Sequence, residues 1–273
     1  MNNYKLLTDN GLKLEYITFG KGADTLVCFH GFGKEAKDFL VLEAALGSHY
    51  TIHSVNLFYH GDSSFPDNRL ENKPLELTEL KLIFEQLRIT ENISTFSLAG
   101  YSLGGKVALA ITALFPEKVK KLYLIAPDGI KANLWYHFAS QTLLGQKLNK
   151  ASIKNEWVFR SFMSLSSKLG LASKRQQRFA KSQMRSLEQR TKVYKIWMAH
   201  RKLSTQLKNL TQLINSNKIE VRIFVGKYDK IVPLVPIENF TKSLALSSIT
   251  YLNSGHEINL EIIGQKIILN GWQ

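Results

Sequence analysis

Ser102 stands between two glycines in Gly100-Tyr101-Ser102-Leu103-Gly104, and two residues able to activate it, Asp229 and His256, follow far along the chain. A serine hydroxyl is a weak nucleophile near neutral pH and needs a neighbouring base. His256, in Asn253-Ser254-Gly255-His256-Glu257, can take its proton. Asp229, in Gly226-Lys227-Tyr228-Asp229-Lys230, can hold the imidazole in the productive tautomer and stabilise the imidazolium. Attack on a carbonyl creates an oxyanion, which needs preorganised donors. The backbone N–H groups of Leu103 and of Phe32, the latter in His30-Gly31-Phe32-Gly33, are the candidates. The chemistry these residues describe is acyl transfer to water through an ester on Ser102.

Other residues compete for these roles. Asp128, in Ala126-Pro127-Asp128-Gly129, also follows a strand and is an alternative partner for the histidine. His30 reads as a residue that stabilises its loop, and His60 as one that fixes its turn. His49, His53, His137 and His200 have no partner pattern and read as surface or packing residues. No histidine pair has the helical spacing of a metal site. Cys28 is the only cysteine, which excludes an intramolecular disulfide and a multi-cysteine metal site. Its setting in Thr25-Leu26-Val27-Cys28-Phe29 is that of a buried strand residue.

To act together, these side chains must be carried to one place by the elements that precede them. Thr95-Phe96-Ser97-Leu98-Ala99 reads as a short buried strand, and Gly105 to Phe115 as a helix that stops at Pro116. A strand that turns at once into a helix bends sharply. Glycine on either side removes the Cβ atoms that would clash, and the serine is left at the apex of a nucleophile elbow. Leu12–Thr18, Thr25–Phe29, Thr51–Leu57, Lys121–Ala126, Val221–Gly226 and Ser248–Leu252 read as further strands. Helical patterns occupy Leu75–Leu87 and Ile262–Leu269. Strands alternating with helices predict a mostly parallel sheet covered on both faces. In such a sheet functional groups gather beyond the carboxyl ends of the strands, where the Phe32, Ser102, Asp229 and His256 loops all fall.

The net charge of +14 is concentrated in one segment. Between Lys131 and Leu210 there are 17 Lys and Arg against two acids, Glu156 and Glu188, which is +15, and the remainder carries −1. That compositional boundary predicts a separate helical cap at residues 131–210 and a core of residues 1–130 and 211–273. Within the cap, Val158, Phe162, Leu165 and Leu169 recur at helical spacing and predict one buried face. Lys174, Arg178, Lys181 and Arg185 repeat that spacing with positive charge. Such a charge run suits a solvated face, a surface that steers anionic substrates, or peripheral contact with anionic lipid. No nucleic acid is expected as partner, since no recognition motif accompanies the charge. The N-terminus lacks the pattern of a signal peptide, and the longest apolar stretch, Ser97 to Phe115, is broken by Gly100, Gly104, Gly105 and Lys106. A cytoplasmic location is the simplest expectation.

Five motifs in order resemble the α/β-hydrolase fold superfamily, of the capped lipase or esterase-like kind, and the resemblance spans essentially the whole chain. They are the His30-Gly31-Phe32-Gly33 loop, the His60-Gly61-Asp62-Ser63 turn, the Gly100-Tyr101-Ser102-Leu103-Gly104-Gly105 elbow, the Asp229 loop and Gly255-His256. The chain order Ser, Asp, His is also that of the family. The resemblance implies an α/β fold with an eight-stranded, mostly parallel sheet flanked by helices and an inserted helical cap. It implies a triad of Ser102, Asp229 and His256 and no metal or organic cofactor. A serine at the elbow, where an aspartate would stand, sets the chain apart from the haloalkane dehalogenase and epoxide hydrolase branches. The chain departs from family habit at Asn56-Leu57-Phe58-Tyr59, where many relatives have Asp and Pro-Gly, and this changes the wall near the site.

The expected reaction is therefore hydrolysis of a small-molecule carboxylic ester or thioester. Tyr101, Lys106, Trp135, Tyr136 and Phe138 are the candidate substrate contacts. The three cap aromatics read either as cap core or as an acyl pocket. Lys106 reads either as a solvated helix residue or as a carboxylate binder together with Arg160. The elbow is also similar to that of the menaquinone-pathway lyase MenH, where a basic residue follows the second glycine, so a lyase acting on an anionic carboxylate is the alternative. A non-catalytic ligand-binding member of the fold is a third reading.

Overall fold

The apolar runs of the chain become the strands of one sheet. The computed structural model describes residues 4–131, 134–168 and 184–269. The strands are β1 (Tyr4–Asp9), β2 (Leu12–Phe19), β3 (Asp24–Phe29), β4 (Tyr50–Val55), β5 (Phe96–Tyr101), β6 (Val119–Ile125), β7 (Glu220–Gly226) and β8 (Ser247–Leu252). They lie in the order β1-β2-β4-β3-β5-β6-β7-β8. Pairings of β2 with β1 and β4 are antiparallel, and every other pairing is parallel. All six residues of β5 are buried, as a central parallel strand covered on both faces requires. The edge strand β1 was not legible in the sequence because only Leu7 of its six residues is buried, leaving no apolar pattern to read.

Register places the chemistry. Phe29 pairs with Gly100, Gly100 with Leu124, Ile125 with Phe224 and Gly226 with Leu252. The carboxyl ends of β3, β5, β7 and β8 therefore share one edge of the sheet, and the loops that follow them emerge side by side. The helices are α1 (Glu43–Leu46), α2 (Leu77–Thr90), α3 (Leu103–Leu114), α4 (Leu134–Gln141), α5 (Leu143–Lys154), α6 (Glu156–Lys168), α7 (Leu187–His200), α8 (Leu207–Ser216), α9 (Leu234–Lys242) and α10 (Leu260–Leu269). The core on one side of the sheet includes Leu26, Cys28, Phe39, Ile52, Tyr123, Phe224 and Ile263. Cys28 is a free, fully buried thiol whose pKa burial drives upward, so it is a packing residue. Among the described residues, no helix is long and apolar enough to cross a membrane.

The chain divides into two compact units. The first comprises Met1–Ser64, Leu77–Ile130 and Leu203–Gln273, and the second Phe65–Glu76 with Lys131–Lys202. The sheet and α8 belong to the first, so the division falls at residue 202, where composition placed it at 210. Composition also had no means of assigning Phe65–Glu76. These residues join the second unit through hydrogen bonds: the Leu75 N–H donates to the Ala199 carbonyl at 3.1 Å. The buried Arg201 guanidinium donates to the carbonyls of Leu70, Glu71 and Met198. Glu71 and Asp67 also bring carboxylates to Lys150 and Lys195.

One helical face differs from expectation. In α6, Val158 is half-buried but Leu165 is exposed. The Phe162 side chain, Leu169, Lys174, Arg178 and Lys181 lie outside the described residues. Helical spacing determines which residues share a face, but not whether another element covers it.

Candidate active site

The elbow is a backbone constraint before it is a chemical one. A single residue, Ser102, separates β5 from α3, with φ 50° and ψ −114°. Positive φ is unfavourable for a residue with a side chain and persists only where its surroundings enforce it. Here the Ser102 N–H donates to the Ile125 carbonyl at 2.9 Å, and the Ser102 carbonyl accepts from the N–H groups of Gly105 (2.8 Å) and Asp128 (2.9 Å). A Cβ on Gly100 would stand 2.6 Å from the Gly104 carbonyl oxygen, and one on Gly104 2.0 Å from that of Phe29. Only glycine lets α3 start this close to β3 and β5.

Three side chains meet above the elbow. Ser102 Oγ lies 3.0 Å from His256 Nε2, and His256 Nδ1 lies 2.8 Å from Asp229 Oδ2. The other carboxylate oxygen, Oδ1, accepts from the N–H groups of Ile231 (2.8 Å) and Val232 (3.0 Å), which fixes its orientation. The carboxylate holds the proton on Nδ1, so Nε2 presents its lone pair to the serine. Asp128, the sequence alternative, is occupied elsewhere: its Oδ1 accepts from the Gly129 N–H at 2.8 Å. The structure therefore brings Asp229 rather than Asp128 to the imidazole.

The His30 loop lies against the nucleophile, since a Cβ on Gly31 would be 3.2 Å from Ser102 Cβ. His30 Nε2 accepts from the Leu57 N–H at 3.0 Å, so Nδ1 carries the ring proton and donates to the Gly31 carbonyl at 2.8 Å. That carbonyl and the Phe32 N–H belong to one trans peptide plane and point in opposite directions. Holding the carbonyl therefore aims the N–H. The Leu103 N–H opens α3, where it has no acceptor within the helix and where the helix dipole adds partial positive charge. His60 Nδ1 faces the carbonyls of Leu57 and Phe58, and its ring stands edge-on to His30 at 4.6 Å.

The turn that departs from family habit is anchored from behind. Asn56 Oδ1 accepts from the Ala36 N–H at 2.7 Å, and its Nδ2 donates to the buried Glu15 carboxylate. Ser63 Oγ accepts from the Glu15 N–H at 2.8 Å and donates to the Asn56 carbonyl at 2.7 Å. Sequence reasoning missed Glu15, Asn56 and Ser63 as supports for His30. An acid in the middle of β2 was the one available signal.

The candidate substrate contacts divide. Tyr101 is buried, and its hydroxyl donates to the His256 carbonyl at 3.0 Å while accepting from the Ile258 N–H at 3.3 Å. Its ring stacks on the imidazole at 6.1 Å, and burial raises its pKa. It ties the elbow to the histidine loop. Lys106 is not a solvated helix residue: it is 6% exposed, and burial lowers its pKa against the pull of Asp128. Tyr136 and Phe138 are half-buried members of the second unit. Tyr136 packs edge-on against Trp197 at 5.4 Å and donates to its carbonyl at 3.2 Å. The Trp135 side chain lies outside the described residues. Among the described residues, no group of three or more His, Cys, Asp or Glu side chains could hold a metal ion.

A family model for the alpha/beta hydrolase fold matches residues 24–261. A 1-acylglycerol-3-phosphate O-acyltransferase of Arabidopsis thaliana is 36% identical over 114 residues, covering 41% of this chain and 27% of that protein. A pimeloyl-(acyl-carrier protein) methyl ester esterase of Salmonella heidelberg is 34% identical over 111 residues, covering 40% of this chain and 39% of that protein. The chain spans about a third of the length of the curated relatives it matches. Among solved structures, a hydrolase from Pseudomonas aeruginosa superposes with a TM-score of 0.68 at 18% identity, covering 98% of this chain and 97% of that one. The sheet order, the elbow and the family match agree: the chain belongs to the alpha/beta hydrolase fold family.

Proposed function

We propose that this protein is a serine hydrolase that cleaves a carboxylic ester or thioester through an acyl-enzyme on Ser102. The observation that carries this reading is the hydrogen-bonded chain from Ser102 Oγ through His256 to Asp229, built on a residue held at φ 50°. Ser102 Oγ attacks the carbonyl carbon and its proton passes to His256 Nε2. The oxyanion is received by the N–H groups of Leu103 and Phe32, each such donor contributing roughly 10²–10³ in rate. Collapse breaks the carbon–oxygen or carbon–sulfur bond, and the leaving alcohol or thiol takes the proton from His256. Water then repeats the sequence on the acyl-enzyme and releases the acid. The two curated relatives described above are named for an acyl transfer and for the cleavage of a methyl ester, which supports a reaction at an acyl carbon.

A fluorophosphonate probe tests the nucleophile, and a panel of esters and thioesters of varied chain length and charge tests the reaction. The expected result is labelling and turnover by the wild type, both lost in Ser102→Ala. Labelling that persists in the variant overturns the assignment of Ser102. Release of pyruvate from an anionic carboxylate without turnover of any simple ester favours the lyase reading instead. Absence of both labelling and turnover favours a ligand-binding protein.

A further inference from the structure

Two consecutive helices of the second unit leave large apolar side chains exposed, while their half-buried Leu148, Ile153 and Val158 face inward only in part. In α5 the buried positions are Gly145, Asn149 and Ser152, small or polar residues. Gly145 is needed for close packing, since a Cβ there would stand 1.8 Å from the Phe138 carbonyl oxygen. Leu143, opposite these buried positions, is 79% exposed, and Leu144, on the flank, 62%. In α6, which packs on α5, Trp157 is 73% exposed and Leu165 55%. Trp157, Arg160, Ser161, Ser164 and Leu165 line one shallow depression on the surface. Single exposed apolar residues are ordinary, but Trp157 and Leu165 share one depression, and two further leucines are exposed on the neighbouring helix, an apolar surface that a partner can cover.

The charge on the same helices says what kind of partner. Lys147, Lys150 and Lys154 are exposed along α5, and Arg160 is exposed on α6, with Glu156 the one acid in either helix. Arg160 pairs with Glu156 and Lys150 with Glu71, and the segment from 131 to 210 still carries +15. Leucine and tryptophan flanked by lysine and arginine is the composition of helices that lie in a membrane interface. There the apolar side chains enter the acyl boundary, and the cations meet anionic headgroups. A second copy of the chain would bring two such positive segments together, against their mutual repulsion.

We propose that the exposed face of α5 and α6 docks on the surface of an anionic phospholipid bilayer. This inference is independent of the reaction at Ser102. Sedimentation with phosphatidylcholine vesicles, with and without phosphatidylglycerol, tests it. The expected result is binding to the phosphatidylglycerol vesicles only, falling as salt is raised. The triple variant L143S/L144S/W157S should lose at least tenfold in partitioning. K147E/K154E should remove the preference for anionic lipid. Each changes exposed side chains only, and unchanged thermal midpoints confirm that the variants fold. Quenching of fluorescence by brominated lipid, lost in Trp157→Phe, reports contact by that residue itself. The proposal is overturned by absence of binding to phosphatidylglycerol vesicles or by binding that neither variant weakens. A dimer in sedimentation equilibrium that W157S dissociates would also overturn it, as would an acidic protein that binds this face while vesicles do not.

Discussion

The hydroxyl of Tyr101 donates to the backbone carbonyl of His256 at 3.0 Å, joining the last residue of β5 to the loop that carries the imidazole. The same oxygen accepts from the Ile258 N–H, so one buried side chain holds the histidine loop at His256 and again two residues beyond it. Tyr101→Phe keeps the ring and removes both of these hydrogen bonds, which costs about 1–3 kcal/mol. Urea denaturation should register that loss. Turnover should fall by about tenfold as the imidazole loosens over Ser102. Full activity in the variant would show that the loop holds itself.

Asp229→Asn separates the two candidate carboxylates. The amide cannot hold the proton on Nδ1 as the carboxylate does, and kcat should drop by roughly 10³–10⁴ with KM little changed. Asp128→Asn should cost less than tenfold, since its Oδ1 accepts from the Gly129 N–H rather than from the imidazole. The reverse ranking in steady-state kinetics would reassign the partner of His256.

His30→Ala tests the aim of the Phe32 N–H. Without the bond from Nδ1, the Gly31 carbonyl is free to rotate, and kcat should fall by roughly 10²–10³. The affinity of a trifluoromethyl ketone, which forms an oxyanion on Ser102, should fall in parallel while KM is unchanged. A variant that loses stability but retains ketone affinity would make His30 a packing residue.

Gly104→Ala should be among the most damaging small substitutions in the chain. Its Cβ would lie 2.0 Å from the Phe29 carbonyl oxygen, with backbone atoms on both sides of the contact. Relief requires α3 to move off the sheet, at a cost of about 3 kcal/mol or more. Gly255→Ala meets nothing within 4 Å and serves as the stability control, with a change within about 0.5 kcal/mol. Thermal denaturation compares the two.

His53 makes stability depend on acid. It is buried, its Nδ1 lies 3.0 Å from Thr18 Oγ1, and burial lowers its pKa from 6.5 to about 4 against the pull of Glu91. The folded state therefore favours the neutral ring, and protonation favours unfolding. The contribution is present in full above pH 6.5 and is lost as pH falls from there through about 4. It amounts to about 3 kcal/mol at most. His53→Gln should flatten the decline of the urea midpoint between those limits. An unchanged slope would transfer the effect to Glu91 and its neighbours.

The sequence by itself determined the elbow, because a serine between glycines at a strand–helix junction has few other physical solutions. It also determined most strands of the sheet, because strands buried on both faces must be apolar throughout. The parallel order then put the loops of Phe32, Ser102, Asp229 and His256 on one edge. Tertiary structure decided what depends on distance between remote residues. Asp128 and Asp229 both follow strands, and only the folded chain assigns one to His256 and the other to its own loop. Tyr101 and Lys106 looked like surface of the site, and burial made the first a tie and the second an interior amine. The edge strand β1 and the placement of Phe65–Glu76 were illegible because hydrogen bonds to distant partners, rather than an apolar pattern of their own, secure them. In α6 Val158 is half-buried as its spacing suggested, whereas Leu165, on the same face, is exposed. Periodicity describes one element, whereas burial is a relation between two.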